Sequence, residues 1–225
     1  MSNTMASESD PGSAELLTRG HKKKAKTRQT LVDAALRIYA KKGVGELTLK
    51  ELAEEANVSH GTIFNYFRSR EEVLEAVGIV LAEQFSESIA VISAGIESGA
   101  QRMSIAVRMF VRRAIADPLW ANALIQVVHF DQGIRSAVAV HLRNDLQTGF
   151  KEGAFSYSDE DVALPLVVSC VVGAMNSIVE GRGVVDHDIK IAQMILRALG
   201  MPASEADRMA LVPLPPLTTS DPFLL

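Results

Sequence analysis

Three helix-start signals fall between residues 48 and 69, and they constrain this chain more than any other stretch. Thr48 is followed three places on by Glu51, Ser69 is followed three places on by Glu72, and Ser59 stands between them. In such a box the hydroxyl and the carboxylate each satisfy an amide that the first helical turn leaves free. Starts this close leave room for helices of only two to three turns. Leu47 and Leu52, then Val58 and Ile63, are spaced as hydrophobic staples across the first two starts. Asn57 is suited to end the first short helix, because asparagine tolerates the left-handed backbone.

Upstream, Leu31, Ala34, Ala35, Ile38 and Tyr39 recur at three- and four-residue steps, which predicts a helix over residues 29–42 with Gly43 as its stop. Two short helices joined by a tight turn and braced by a first helix have the spacing of a helix-turn-helix unit. The second short helix would bury Ile63 and Phe67 and present His60, Gly61, Thr62, Asn65, Tyr66 and Arg68 outward. In such a unit the N-terminal residues of that helix lie nearest the bases of the DNA major groove.

A net charge of −4 and a pI near 5.8 argue against nucleic acid when taken over the whole chain. Divided by segment, residues 1–15 carry −3, residues 16–77 carry +4 and residues 78–225 carry −5. Arg19, Lys22, Lys23, Lys24, Lys26 and Arg28 fall within ten residues that contain no acid. Such a run is ordinarily a solvated, disordered arm. Placed before a helix-turn-helix, an arm of this kind engages phosphate or the minor groove.

The segment TRQTLVDAALRIYAKKGVGELTLKELAEEANVSHGTIFNYFRSREEVLEAV resembles the DNA-binding domain of the TetR family of bacterial transcriptional regulators from end to end. The elements that agree are Ala34 and Ala35, Gly43, Thr48, Leu52-Ala53, Val58-Ser59, Gly61-Thr62, Tyr66-Phe67 and the run from Ser69 to Glu72. Asn57, Phe64 and Arg70 stand where the family commonly has glycine, tyrosine and lysine. The resemblance implies phosphate contacts from Thr48, Lys50, Tyr66 and Arg70, and base-facing positions at His60, Thr62 and Asn65, with Gly61 allowing close approach. The chemistry agrees: asparagine can pair with adenine through two hydrogen bonds, and threonine can offer its methyl to thymine.

The rest of the chain reads as helix, with new starts at Asp117-Pro118, Ser158 and Asp186 and a stop at Gly200. Helices are expected over residues 101–116 and 132–151, and Val73, Leu74, Val77, Val80, Leu81 and Phe85 line one face of a long fourth helix. Residues 162–179 carry no charge, but Pro165, Ser169, Asn176 and Ser177 make them a poor membrane span, and a buried helix is the better reading. The family resemblance implies that the last two long helices pair with a second subunit. Val167, Val171, Gly173, Ala174 and Ile178 would face Ile191, Ile195 and Leu199 there. It also implies a small-molecule cavity, for which Met103, Phe110, Trp120, Gln126, His129, Phe130 and Asn176 are the candidates.

Chemical motifs are otherwise scarce. There is no Gly-rich phosphate loop, no HExxH and no CxxC, so an enzyme, a cofactor or a metal site finds no support. The single cysteine, Cys170, excludes a disulfide within the chain and fits a reducing, cytoplasmic compartment. The expected organisation is all-α: a disordered tail to residue 18, a three-helix DNA-binding head with its basic arm over residues 19–70, a helical ligand-binding and dimerisation domain over 71–211, and a proline-rich tail over 212–225. The expected partners are a double-stranded DNA operator, an unidentified small-molecule effector and a second copy of the chain, with repression as the output. The alternative is a helical small-molecule-binding or interaction protein whose head no longer engages DNA.

Overall fold

The computed structural model describes residues 11–42, 47–128 and 132–216. The described residues form ten helices and no strand, in the order α1 (Pro11–Lys42), α2 (Leu49–Glu55), α3 (His60–Phe64), α4 (Arg70–Ile92), α5 (Gly99–Ala116), α6 (Pro118–Val128), α7 (Gln132–Lys151), α8 (Glu160–Val179), α9 (His187–Ala198) and α10 (Ala203–Ala210). Gly43, His129, Phe130 and the last nine residues lie outside the described residues.

The three capping signals each start a helix. Thr48, Ser59 and Ser69 accept hydrogen bonds from the amides of Glu51, Thr62 and Glu72 at 3.2, 3.2 and 3.3 Å. Asn57 has φ 53°, the left-handed turn that separates α2 from α3. Leu31, Ala34, Ala35, Ile38, Leu47, Leu52, Ile63 and Phe67 are buried together as the core of the head. Arg37 and Lys41 of α1 both bind Glu55 at the end of α2, at 2.7 and 3.1 Å, and hold its pKa below the ordinary carboxylate range. Arg28 lies over the Phe67 ring at 5.2 Å.

Two boundaries differ from the sequence reading. The first helix begins at Pro11 rather than near residue 29, so residues 11–18 and the basic run continue α1 instead of forming a disordered tail and a separate arm. The reason is compositional: proline suits the first helical position, and the Ala, Leu and Lys that follow are good helix formers with no further proline to interrupt them. At the other end, α10 was not legible from the sequence, and residues 212–216 are not a free tail. The Val212 carbonyl accepts from the buried Arg108, and Leu214 packs on the core.

Helix α4 belongs to both halves of the molecule. Val73 and Val77 pack in the head, Phe85 and Ile89 farther along pack in the body, and all belong to one continuous core. Asp117 closes α5 and opens α6, its Oδ1 accepting from the Trp120 amide at 2.9 Å. Gly99 at the start of α5 sits where α7 passes closely. A Cβ there would stand 2.5 Å from the Asp145 carbonyl oxygen, so glycine is what lets the two helices approach. Helix α8 has the length and hydropathy of a membrane span, yet it packs against α5, α6, α7 and α9.

Candidate DNA-reading surface and effector cavity

The head presents one small polar surface. His60, Gly61, Phe64 and Asn65 are exposed, and the His60 ring meets the Phe64 ring edge-on at 5.1 Å. A Cβ on Gly61 would meet only the Ser59 hydroxyl, at 3.9 Å, so this face is open to another molecule. Thr48 and Lys50 are exposed at the start of α2. Lys22, Lys23 and Lys24 are exposed on the N-terminal part of α1.

Three of the expected contact residues are held more tightly than sequence alone suggests. The Thr62 hydroxyl shares a 2.8 Å hydrogen bond with Ser59, so it serves the cap of α3. Tyr66 is half-buried against the core. Arg70 donates from Nε to the Leu47 carbonyl at 2.8 Å, tying the start of α4 to the residue before Thr48. Asn65 is exposed but stands at the C-cap of α3, not within it, because α3 is shorter than the expected two to three turns.

Between α4, α5, α6, α7 and α8 lies a cavity of about 360 Å³. Ile89, Phe110, Leu124, Val167, Val171 and Met175 supply much of its apolar wall. Its polar groups are Ser86, Ser93, Arg102, His141, Asn144 and Asp145. Arg102 donates from Nε to Asp145 Oδ1 at 2.6 Å and from a terminal nitrogen to the carbonyls of Ile96 and Glu97. Burial raises the Asp145 carboxyl above the ordinary aspartate range, against the opposing effects of Arg102 and His141. His141 Nε2 lies 3.0 Å from the Glu87 carboxylate. The Ser93 hydroxyl is buried without a partner. An unmatched buried hydroxyl costs about 1 to 3 kcal/mol.

Of the expected cavity residues whose side chains are described, Met103, Trp120 and Asn176 do not line this space. Phe110 does. Met103 is fully buried in the second core cluster, and Trp120 is buried against Phe85 and Phe110 behind the cavity wall. Asn176 bonds to Glu180 at 3.2 Å on the outside of α8. The Gln126 side chain, His129 and Phe130 lie outside the described residues. Apolar spacing marks the face of a helix that is covered, but not whether a neighbour or a void covers it. The polar lining was missed for the same reason, although Ser86 and Ser93 on one apolar helix are a signal that could have been weighed.

The residues expected to face a second copy are placed differently from that expectation. Val167, Ala174, Ile195 and Leu199 are buried within their own chain and Val171 lines the cavity, whereas Ile178 and Ile191 are half-buried and packed in part on the chain's own core. The exposed side of α8 carries Val162, Leu166, Cys170 and Gly173, which recur at three- and four-residue steps, and α9 exposes Met194. Of the expected set, Gly173 is exposed. The sequence alone does not distinguish two apolar faces of one helix when both are apolar.

Residues 31–77 match the family model described as bacterial regulatory proteins, tetR family, and residues 99–211 match that of the tetracyclin repressor-like C-terminal domain. The chain belongs to the TetR family. Among curated TetR-like relatives, it is 39% identical over 61 residues to the HTH-type transcriptional regulator LuxR of Vibrio harveyi, which is 27% of this chain and 30% of that protein. It is 30% identical over 95 residues to the HTH-type nicotine-responsive transcriptional repressor HdnoR of Paenarthrobacter nicotinovorans, covering 42% of this chain and 44% of that one. The chain thus matches less than half the length of these relatives. Among solved structures, that of RolR in complex with resorcinol superposes with a TM-score of 0.76 at 26% identity, over 88% of this chain and all of that one. The TetR-family FadR of Thermus thermophilus, in complex with lauroyl-CoA, shares the fold with a TM-score of 0.59 at 18% identity, over 78% of this chain and 96% of that one.

Proposed function

We propose that this chain is a homodimeric transcriptional repressor that binds a palindromic DNA operator and releases it when a small molecule enters the α4–α8 cavity. The observation that carries the reading is that α4 serves both sites. Its first turn is capped by Ser69 beside the recognition surface, and its later turns place Ser86 and Ile89 on the cavity wall. A ligand that alters the packing of α4 therefore acts on an element rigidly continuous with the head.

Ligand-bound relatives support an effector: RolR was solved with resorcinol, and HdnoR is nicotine-responsive. Dimerisation has a physical reason, since one short helix reads few base pairs and a twofold dimer reads two half-sites about 34 Å apart. The exposed stripe of Val162, Leu166, Gly173 and Met194 is the surface that suits a second copy. The site of action is the cytoplasm, where the DNA is.

The test is the mobility of labelled DNA flanking the protein's own gene, at several salt concentrations, with the purified full chain. A sequence-selective complex whose affinity falls steeply with salt is expected. Its absence would favour a helical ligand-binding protein with a head that does not engage DNA.

A further inference from the structure

We propose that the cavity takes a neutral, largely apolar molecule of one- or two-ring size that carries a hydroxyl, and that Asp145 and Ser93 read that hydroxyl. This inference rests on the effector role given above and narrows it to a chemical class.

The opposite charges of the lining, Arg102 and Asp145, are already paired with each other. Arg102 is bound to Asp145 at 2.6 Å and to two backbone carbonyls at 2.6 and 2.8 Å, and His141 pairs with Glu87. A carboxylate ligand would bring a second negative charge beside Asp145 with one guanidinium to offset both, which is unfavourable in a buried site. A phosphate-bearing ligand meets the same obstacle. A cationic ligand would compete with Arg102 for one carboxylate and leave two positive charges beside it.

Ser93 supplies the second, independent observation. It is the C-cap of α4, and its backbone amide makes the capping bonds. Its side-chain oxygen makes no bond there: the residue is 1% exposed and lines the cavity, and that oxygen is buried and unpartnered. Buried polar atoms without a partner are rare, and this one belongs to a residue that lines the cavity. Asp145 adds an acceptor. Arg102 occupies Oδ1, and among the described residues no donor is bonded to Oδ2. A carboxylate only accepts, whereas a serine hydroxyl both donates and accepts. A ligand hydroxyl completes both, donating to Asp145 and accepting from Ser93. The remaining wall, with Phe110, Leu124 and Met175, asks for apolar surface, and about 360 Å³ is at the small end of ligand cavities.

The test uses the full chain and three probes of one shape: 2-naphthol, naphthalene and 2-naphthoate, with binding read by calorimetry in the absence of DNA. The expected order is 2-naphthol tighter than naphthalene by about tenfold or more, with 2-naphthoate the weakest. Ser93→Ala should keep naphthalene binding and reduce the preference for 2-naphthol several-fold, and Asp145→Asn should reduce it further. If Asp145→Asn does not fold, Ser93→Ala decides, because it removes only an unpartnered atom. The proposal is overturned if 2-naphthoate binds as tightly as 2-naphthol, if naphthalene equals it, if none of the three binds, or if the folded variants keep the full preference. Because DNA is absent, failure here leaves the regulator reading to the operator experiment, and failure of operator binding leaves this result intact.

Discussion

The Tyr39 hydroxyl donates to the Asp117 carboxylate at 3.3 Å, joining the first helix of the DNA-reading head to the corner between α5 and α6. Burial and the neighbouring Asp117 push the phenol well above the usual tyrosine range, so it remains a donor at physiological pH. The same carboxylate accepts from Arg113 at 3.0 Å and caps α6 through the Trp120 amide. Trp120 in turn packs on Phe110, with ring centroids 5.8 Å apart, and Phe110 lines the cavity. An unbroken series of contacts therefore runs from cavity to head.

Tyr39→Phe removes one partly buried hydrogen bond and should lower stability by about 1 kcal/mol. If the bond couples the two sites, operator affinity without effector changes little while the effector-induced loss of affinity shrinks. Thermal unfolding and operator titrations with and without effector measure both. An unchanged response would make the bond structural only.

The reading surface predicts two different kinds of variant. Asn65→Ala should change which bases are preferred, in selection from random duplexes, because Asn65 is exposed and can pair with a base edge. Arg70→Ala should weaken all sequences alike and flatten the salt dependence. It should also lower thermal stability slightly, since Arg70 holds the Leu47 carbonyl.

Two substitutions on α8 separate the proposed dimer face from the core. Leu166→Asp, on the exposed side, should give a folded monomer by sedimentation velocity. Val167→Asp places a charge at a buried position and should unfold the chain instead. A folded dimer for Leu166→Asp would move the interface elsewhere.

The pH dependence of Asp145 has a definite sign. Burial raises its folded value above the ordinary 3.8, so in that window the folded protein binds a proton that the unfolded chain does not. This group's contribution to stability therefore rises as pH falls and is lost as pH rises through the folded value. Glu55 runs the other way, since Arg37 and Lys41 lower its value and its contribution is lost on acidification. The difference isolates Asp145: the stability of Asp145→Asn relative to the parent should increase as pH rises from about 4. A flat difference in thermal unfolding against pH would show that Arg102 offsets the burial.

Much of the head was legible because its signals are local. A cap needs only Thr48 and the amide of Glu51, three residues away, and a staple needs only Leu47 and Leu52, so neighbours in sequence carry the whole interaction. The same holds for Asp117 opening α6 and for Asn57 in the turn. The residues of the cavity are different. Ser93 closes α4, Arg102 stands on α5 and Asp145 on α7, and their meeting depends on how three helices pack, including the close approach at Gly99.

What the amino-acid sequence by itself determined was the all-helical fold, the capped reading head and the family to which it belongs. Only the tertiary structure decided which side of α8 looks into the cavity and which looks out, with Val167 on one side and Leu166 on the other. The reason is that helical periodicity reports an apolar face but not what covers it. Where both faces of a helix are apolar, only the packing of its neighbours tells a cavity wall from a docking surface.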